Sequence, residues 1–284
     1  MIISPKHLTL SVEKLAEISR VAFTVLPDSD AVFTHMAKSI AEEIQSNNFS
    51  DKPTRLILPV GPIGQYQILV QICNQQRISW KNVFTFNMDE YCDWQGRPLA
   101  TDHPLSFAGF MQRHVFDQLD DDLRIPGDQV HFPDPLALDR ISEQIQAVGG
   151  IDTCYAGVGY HGHIAFNEPP NSGWHKVSAA QFRNSLTRIV PLAPDTIVMN
   201  STWNTGGNPA QIPPMAVTLG MKDILAAQRI RLYCNGGAWQ RTVFRIAVCS
   251  EVDVKYPVTL LQEHPDYAII SDLCTAQPAV ISAI

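Results

Sequence analysis

The chain has 284 residues, of which 45% are hydrophobic and 17% are charged. This apolar content excludes a disordered chain, and at about 150 residues per domain the length corresponds to one large or two small domains. The 21 basic and 28 acidic side chains give a net charge of -7, which argues against a general nucleic-acid binder. An anionic ligand would therefore need a local pocket of cations or backbone amides.

Short β-like runs alternate with amphipathic segments along the chain. Helical spacing of apolar side chains predicts helices around residues 33–44, 66–73, 107–114, 138–148 and 239–247. Apolar or alternating runs predict strands at 56–60, 83–88, 151–158, 230–234 and 267–270. This alternation is typical of an α/β fold in which helices cover both faces of a mostly parallel sheet.

No polar linker divides the chain, so we predict a single domain over residues 31–284. Residues 1–30 are interpreted as an N-terminal extension, and residues 169–212, rich in Pro, Asn, Ser and Thr, as a loop-rich flap. No apolar run reaches the ~18 residues of a membrane span, and the N-terminus lacks a signal-peptide pattern. The six scattered cysteines, without a C-x-x-C pair, favour free thiols and a cytoplasmic location.

Ligands of open α/β sheets bind outside the carboxyl ends of the strands, and the first such end is glycine-rich. Gly61 and Gly64 lie in the turn after the strand at 56–60. Such a turn can present backbone N–H groups to an anion, but it lacks the lysine of a nucleotide-binding loop. The glycines could equally serve only to make a tight turn.

Two adjacent carboxylates, Asp89 and Glu90, follow the strand at 83–88. Neighbouring side chains point in different directions, so one can face the cleft while the other caps a helix. A cleft-facing aspartate is a candidate general base. The alternative is that both residues only cap a helix.

The third strand end carries G-x-G-x-x-G at residues 157–162. A dinucleotide site is excluded because no acidic residue occurs between Glu168 and Asp195, where the ribose partner is expected. Instead, His161, His163 and Glu168 lie within eight residues of one another. They suit either acid–base chemistry or, together with another carboxylate, a zinc site.

These motifs together resemble the glucosamine-6-phosphate deaminase (isomerase) family. The matching segments are F-N-M-D-E-Y at 86–91, H-P at 103–104 and G-V-G-Y-H-G-H-I-A-F-N-E-P at 157–169, with weaker matches at 211–220 and 261–265. The resemblance covers roughly residues 35–272. It implies a Rossmann-like three-layer α/β domain, shared more distantly with 6-phosphogluconolactonases.

The resemblance also implies a reaction: sugar-ring opening, proton transfer between C2 and C1, and release of ammonia from C2. By position, Asp89 would be the base, His163 would assist ring opening, and Glu168 would be the carboxylate partner of His163. Further substrate-binding positions would be Gly61, Gly64, Glu90, Gly159, His161 and Thr202. The resemblance calls for no metal or organic cofactor, it implies a small sugar or sugar phosphate as ligand, and homo-oligomers are common among relatives.

The chain departs from the family pattern at several positions. Tyr160 and His161 stand where the family has Asn-Asp, so that the relay carboxylate is lost and His163 is left with Glu168 alone. The turn at 60–64 has lost two hydroxyls, and Thr202 and Trp239 replace a family arginine and lysine. We therefore expect a divergent member with an altered substrate.

Several alternatives remain at the level of sequence. Arg97 and Arg241 either restore an anion site or are surface residues, and Trp239 either packs in the core or stacks on a sugar. The whole protein could be a non-catalytic sugar-binding relative or a 6-phosphogluconolactonase-like hydrolase instead of a deaminase.

Overall fold

The computed structural model of the protein describes residues 3–170 and 175–279. Its strands are β1 (Ala22–Leu26), β2 (Thr54–Leu58), β3 (Val83–Asn87), β4 (Asp89–Cys92), β5 (Val130–His131), β6 (Thr153–Gly157), β7 (Arg188–Pro191), β8 (Met215–Thr218), β9 (Arg229–Cys234) and β10 (Tyr267–Asp272). Its α-helices are α1 (Pro5–Leu8), α2 (Val12–Ile18), α3 (Ser29–Phe49), α4 (Gly64–Gln76), α5 (Phe107–His114), α6 (Arg140–Ala147), α7 (Ala179–Arg183), α8 (Pro194–Asn204), α9 (Met221–Leu225), α10 (Arg241–Cys249) and α11 (Leu273–Ala276).

Within the described ranges, seven parallel strands form the central sheet in the order β1-β10-β9-β6-β2-β3-β5. The chain runs outward from β2 through β3 to β5 and then returns to the other side of β2 as β6. Such a reversal of strand order opens a crevice at the carboxyl ends of the two strands on either side of it. The topology therefore predicts a ligand site beside β2 and β6.

Helices cover both faces of this sheet, which confirms the predicted three-layer α/β fold. Successive residues of a strand point to opposite faces. Leu56 and Leu58 pack in a core layer with residues of α3 and α4, whereas Ile57 packs in a second layer with residues of α6, α9 and α10. Strand β2 is thus buried on both faces of the sheet, as expected for a strand whose sequence is continuously apolar from Leu56 onward.

A second, antiparallel sheet has the order β4-β8-β7 and was not predicted. Asp89 and Glu90, interpreted from the sequence as a strand end, are the first two residues of β4. The backbone of Met88 joins the two sheets, because its N–H donates to Leu58 and its carbonyl accepts from Leu219. Asp89 and Glu90 therefore lie in a strand whose first residues are fixed next to the central sheet by Met88, and not in a loop.

Residues 3–30 belong to the fold, which corrects the interpretation of this segment as an extension. Strand β1 pairs with β10 at the edge of the central sheet, and Leu15 is fully buried. The guanidinium of Arg245, also fully buried, donates to the carbonyls of His7 and Leu10. Burying that cation requires acceptors, and the N-terminal segment supplies them.

The segment 169–212 is more regular than its composition suggested. It contains α7, β7 and α8, while residues 171–174 lie outside the described residues. All six cysteines are free, as predicted, and five of them are buried, whereas Cys274 is exposed. Among the helices of the described ranges, none combines the length and the apolar character needed to cross a membrane.

Candidate active site

A cavity of about 520 Å³ lies at the carboxyl ends of the central strands. Its wall is formed by the turn after β2, the start of β4, the residues after β6 and β9, and one face of α8. This is the position that the reversal of strand order predicts for a ligand.

Asp89 and Glu90 divide their roles, as adjacent residues of a strand should. Asp89 lines the cavity and is 8% exposed. The Glu90 carboxylate instead accepts hydrogen bonds from the backbone amides of Phe107 (2.9 Å) and Ala108 (2.8 Å) and from the hydroxyl of Ser106 (3.0 Å). It thereby caps the N-terminus of α5 and is not among the residues that line the cavity, so its binding of substrate stays a prediction.

The environment of Asp89 suits proton transfer. Burial, reinforced by the nearby Glu90 carboxylate, raises the pKa of Asp89 to about 8. A group whose pKa lies near neutral pH can both take up and return a proton during turnover. Asp89 is thus a candidate base by position and by electrostatics.

His163 lines the same cavity and is 8% exposed. Its ring packs against Gly159, where a Cβ atom would lie only 1.8 Å from His163 Nε2, so this position requires glycine. Burial, assisted by His161 and opposed by Asp195, lowers the pKa of His163 to about 3. The imidazole is therefore neutral at physiological pH, and it can accept a proton at one nitrogen while donating at the other.

Glu168 is not the hydrogen-bond partner of His163, contrary to expectation. Its Oε2 accepts from the backbone N–H of Ala193 (2.8 Å), just before α8, and His163 Nδ1 has no partner among the described residues. His161 instead contacts Asp195 of α8 through its Nε2. Neither Glu168 nor His161 lines the cavity.

One face of α8 lines the cavity, and the sequence reasoning missed it. The residues concerned are Thr196, Met199, Asn200, Trp203 and Asn204. Their spacing of three and four places them on one side of a helix. Thr202 lies off that face, is exposed, and donates its hydroxyl to the Met199 carbonyl (2.7 Å), so it is not brought to the cavity. The periodicity from 196 to 204 was the signal that could have found this face.

The two turn glycines after β2 also differ. Gly61 lines the cavity, and no atom lies within 4 Å of the position that a Cβ would take there. Gly64 begins α4 and packs on Phe33, whose ring would lie 2.5 Å from such a Cβ. Gly64 therefore permits the close approach of α3 and α4 and does not line the cavity.

Part of the cavity lining is apolar and aromatic. It comprises Phe33, Ile63, Tyr160, Trp203 and Trp239. Trp239 lies in a short 3-10 helix (Gly237–Gln240) and packs against Gly236, with its ring centroid 6.4 Å from that of Tyr160. It faces the cavity and is not part of the core. Within the described chain, no lysine or arginine lines the cavity.

The two arginines considered for a cationic site, Arg97 and Arg241, do not line the cavity. Arg97 is exposed in a turn whose backbone bonds to Asp93, and the Arg241 guanidinium donates to the carbonyl of Cys274 (3.0 Å). Their interpretation as surface residues is the one that the structure supports.

Comparison with known proteins identifies the family. A glucosamine-6-phosphate deaminase of Porphyromonas gingivalis is 37% identical over 255 residues, which cover 87% of this chain and 89% of that protein. One from Cronobacter sakazakii is 36% identical over 83% of this chain and 84% of its own length. The chain belongs to the glucosamine-6-phosphate deaminase family. No family model matches it.

Solved structures with the same fold include members of this family and of a related one. A monomeric glucosamine-6-phosphate deaminase superimposes with a TM-score of 0.76 at 23% identity, covering 90% of this chain and 98% of its own. A 6-phosphogluconolactonase from Shewanella baltica has a TM-score of 0.61 at 17% identity, covering 89% and 97%. The predicted resemblance to the deaminase family is thus confirmed, with the lactonases as fold relatives.

The described residues of this deaminase-family chain do not assemble the alternative zinc site. Among them, no three His, Cys, Asp or Glu side chains are arranged to hold a metal ion. The reason is local, because His161 contacts Asp195 and Glu90 is bonded to α5.

Proposed function

We propose that this chain isomerises and deaminates an amino sugar as its family relatives do, but that its substrate carries no phosphate. The observation that carries the proposal is that Asp89 and His163 face one cavity to whose lining the described residues contribute no lysine or arginine. The first part of this observation supports the reaction, and the second supports the change of substrate.

Ring opening begins at His163. Its neutral imidazole accepts the proton of the anomeric hydroxyl and delivers a proton to the ring oxygen, which breaks the bond between C1 and that oxygen. The protonated imidazole readily gives the proton back, because burial lowers the pKa of His163 to about 3. The product of this step is the open-chain aldehyde, with no net change in protonation of the enzyme.

Isomerisation and deamination follow at Asp89. The Asp89 carboxylate removes the proton from C2 of the open-chain aldehyde, the electron pair shifts to form a C1–C2 double bond, and the C1 oxygen takes up a proton from solvent to give an enol-amine. Asp89 returns its proton to C1 while the nitrogen releases a proton to solvent, which leaves an imine at C2. Water adds to that imine, ammonia leaves, and a ketose results.

The remainder of the cavity supports recognition of an uncharged group. Amide side chains of Asn200, Asn204 and Asn235 and the indole rings of Trp203 and Trp239 line it, and these groups suit sugar hydroxyls and ring faces. A hydrogen bond to an ionised group contributes about 1.5–3 kcal/mol. Without two such contacts, phosphosugar binding should be weaker by roughly 100-fold to 10,000-fold.

The test compares glucosamine and other unphosphorylated 2-amino sugars with glucosamine-6-phosphate, following both ammonia and ketose. We expect a higher kcat/KM for an unphosphorylated sugar, and loss of turnover in Asp89→Asn. A preference for the phosphosugar would contradict the altered substrate. Thermal stabilisation by sugars without any turnover would instead favour the non-catalytic relative, and lactone hydrolysis that survives Asp89→Asn would favour the hydrolase.

A further inference from the structure

We infer that Asp195 and His161 form a second polar layer that positions His163, so that Asp195 is a positioning residue for ring opening. The inference rests on the proposed function for its kinetic consequences, but its geometry is independent of the substrate. Asp195 is the second residue of α8, far along the chain from the histidines.

The three side chains form a path from the surface to the cavity. Asp195 has 52% of its side chain exposed, His161 has 23% exposed, and His163 is buried at the cavity wall. Asp195 Oδ2 contacts His161 Nε2, and the ring centroids of His161 and His163 lie 6.2 Å apart with an angle of 50° between the planes. No side chain of the described residues is hydrogen-bonded to Nδ1 of either histidine.

The contact with Asp195 selects the state of His161. An ionised carboxylate only accepts hydrogen bonds, so His161 must carry a proton on Nε2. Although burial opposes it, the hydrogen bond with His161 keeps the pKa of Asp195 below its ordinary value. Asp195 thus stays ionised at neutral pH, and it fixes the ring of His161, which in turn lies beside His163.

This arrangement matters when His163 holds a proton during ring opening. Burial disfavours the resulting cation, a protonated His161 would disfavour it further, and the Asp195 charge favours it. The other titratable groups nearby are Asp89, Tyr91, Tyr160 and Tyr233, which line the cavity, and Glu168. The Glu168 Oε2 is bonded before α8, and its buried Oε1 has no hydrogen-bond partner among the described residues. Asp195 is therefore the carboxylate that reaches His163 through a side-chain contact with another histidine.

The first arm of the test needs no substrate. NMR spectra of the full chain with ¹⁵N-labelled histidines are recorded for wild type, Asp195→Ala and the matched control Asp30→Ala. Asp30 is an exposed acid at the second position of α3, as Asp195 is the second residue of α8. Its removal therefore takes one negative charge from a helix N-terminus but breaks no contact with His161. We expect Asp195→Ala to mix the tautomers of His161 and shift the His163 nitrogens, while Asp30→Ala leaves both unchanged.

The second arm measures kinetics on the best amino sugar. Asp195→Asn should lower kcat about 10-fold to 100-fold with less change in KM and should alter the pH profile of kcat. Asp195→Glu should recover part of the loss, and the loss should be smaller in a His161→Asp background, where a carboxylate lies nearer to His163.

The outcomes separate the two proposals. Unchanged His163 signals in a folded Asp195→Ala protein would overturn the inference, whether or not any sugar is turned over. Shifted His163 signals in a protein that acts on no amino sugar would uphold the inference and contradict the proposed function.

Discussion

Two groups of residues that line the cavity contrast in their chemistry. In one group, Asp89 and His163 are buried acid–base residues held by sheet backbone and by a close glycine contact. In the other, the turn after β2 and Trp239 present apolar and aromatic surface. In the proposed mechanism, the residues for proton transfer and those for recognition can change independently, because they are carried by different segments of the same fold.

The largest expected effect is on the proton-transfer side. Asp89→Asn keeps the shape of the side chain but removes its basicity, so kcat should fall by at least about 1,000-fold. In wild type, kcat/KM should rise with pH up to about 8, because Asp89 is the active base only when ionised. Steady-state kinetics between pH 6 and about 9 checks both statements. An Asp89→Asn protein that retains normal turnover would remove Asp89 from the mechanism.

The same substitution should stabilise the fold at high pH. The pKa of Asp89 is about 8 in the folded protein and near its ordinary value in the unfolded chain, so between these values the folded state binds more protons. The free energy of unfolding therefore falls as pH rises through that window. Since each pKa unit corresponds to about 1.4 kcal/mol, Asp89→Asn should be more stable than wild type by a few kcal/mol at pH 9.

Urea unfolding of both proteins at pH 4 and pH 9 measures this difference. We expect nearly equal stability at pH 4, where Asp89 is protonated in the folded state and costs little, and a clear gain for the variant at pH 9. A gain of the same size at both pH values would show that the ionisation of Asp89 is not its cause.

Exchange of one residue on the aromatic side should change specificity. Trp239→Lys places a cation in the cavity, and one charge-assisted hydrogen bond should improve kcat/KM for glucosamine-6-phosphate by about 10-fold to 100-fold. Trp94→Lys, at an exposed position in a surface turn, is the matched control and should leave the specificity unchanged. An equal effect of both lysines would attribute the gain to net charge and not to the cavity.

The smallest expected kinetic effect comes from a comparison of two neighbouring residues of α8. Trp203 lines the cavity, whereas Thr202 faces away from it. Trp203→Ala should raise KM for the preferred sugar by about 10-fold through lost stacking area, and Thr202→Ala should change it by less than about twofold. Initial-rate measurements on the two variants decide the matter. A larger effect at Thr202 would mean that α8 presents a different face.

Much of the site follows from sequence, because strand ends are local signals. The apolar run at 83–88 and the glycines after residue 156 place Asp89 and His163 at one edge of a parallel sheet. The separation of Asp89 from Glu90 follows from the alternation of side chains along a strand. The chemistry of these residue types then indicates acid–base roles.

The parts that sequence could not supply depend on contacts between distant segments. Asp195 reaches His161 across 34 residues, and no local pattern predicts that pairing. The antiparallel pairing of β4 with β8 likewise depends on residues more than 100 positions apart. Thr202 was placed in the cavity by alignment with a family arginine, but the helical position of the residue decides which side chain faces the cavity.

The decisive experiment for an unphosphorylated substrate is the ratio of kcat/KM for glucosamine to kcat/KM for glucosamine-6-phosphate, determined with the wild-type chain at pH 8. We expect a ratio above one, because Asp89 and His163 line the cavity and no lysine or arginine of the described chain does. A ratio well below one would contradict this proposal, since a phosphate would then be recognised by groups that the cavity lining does not include.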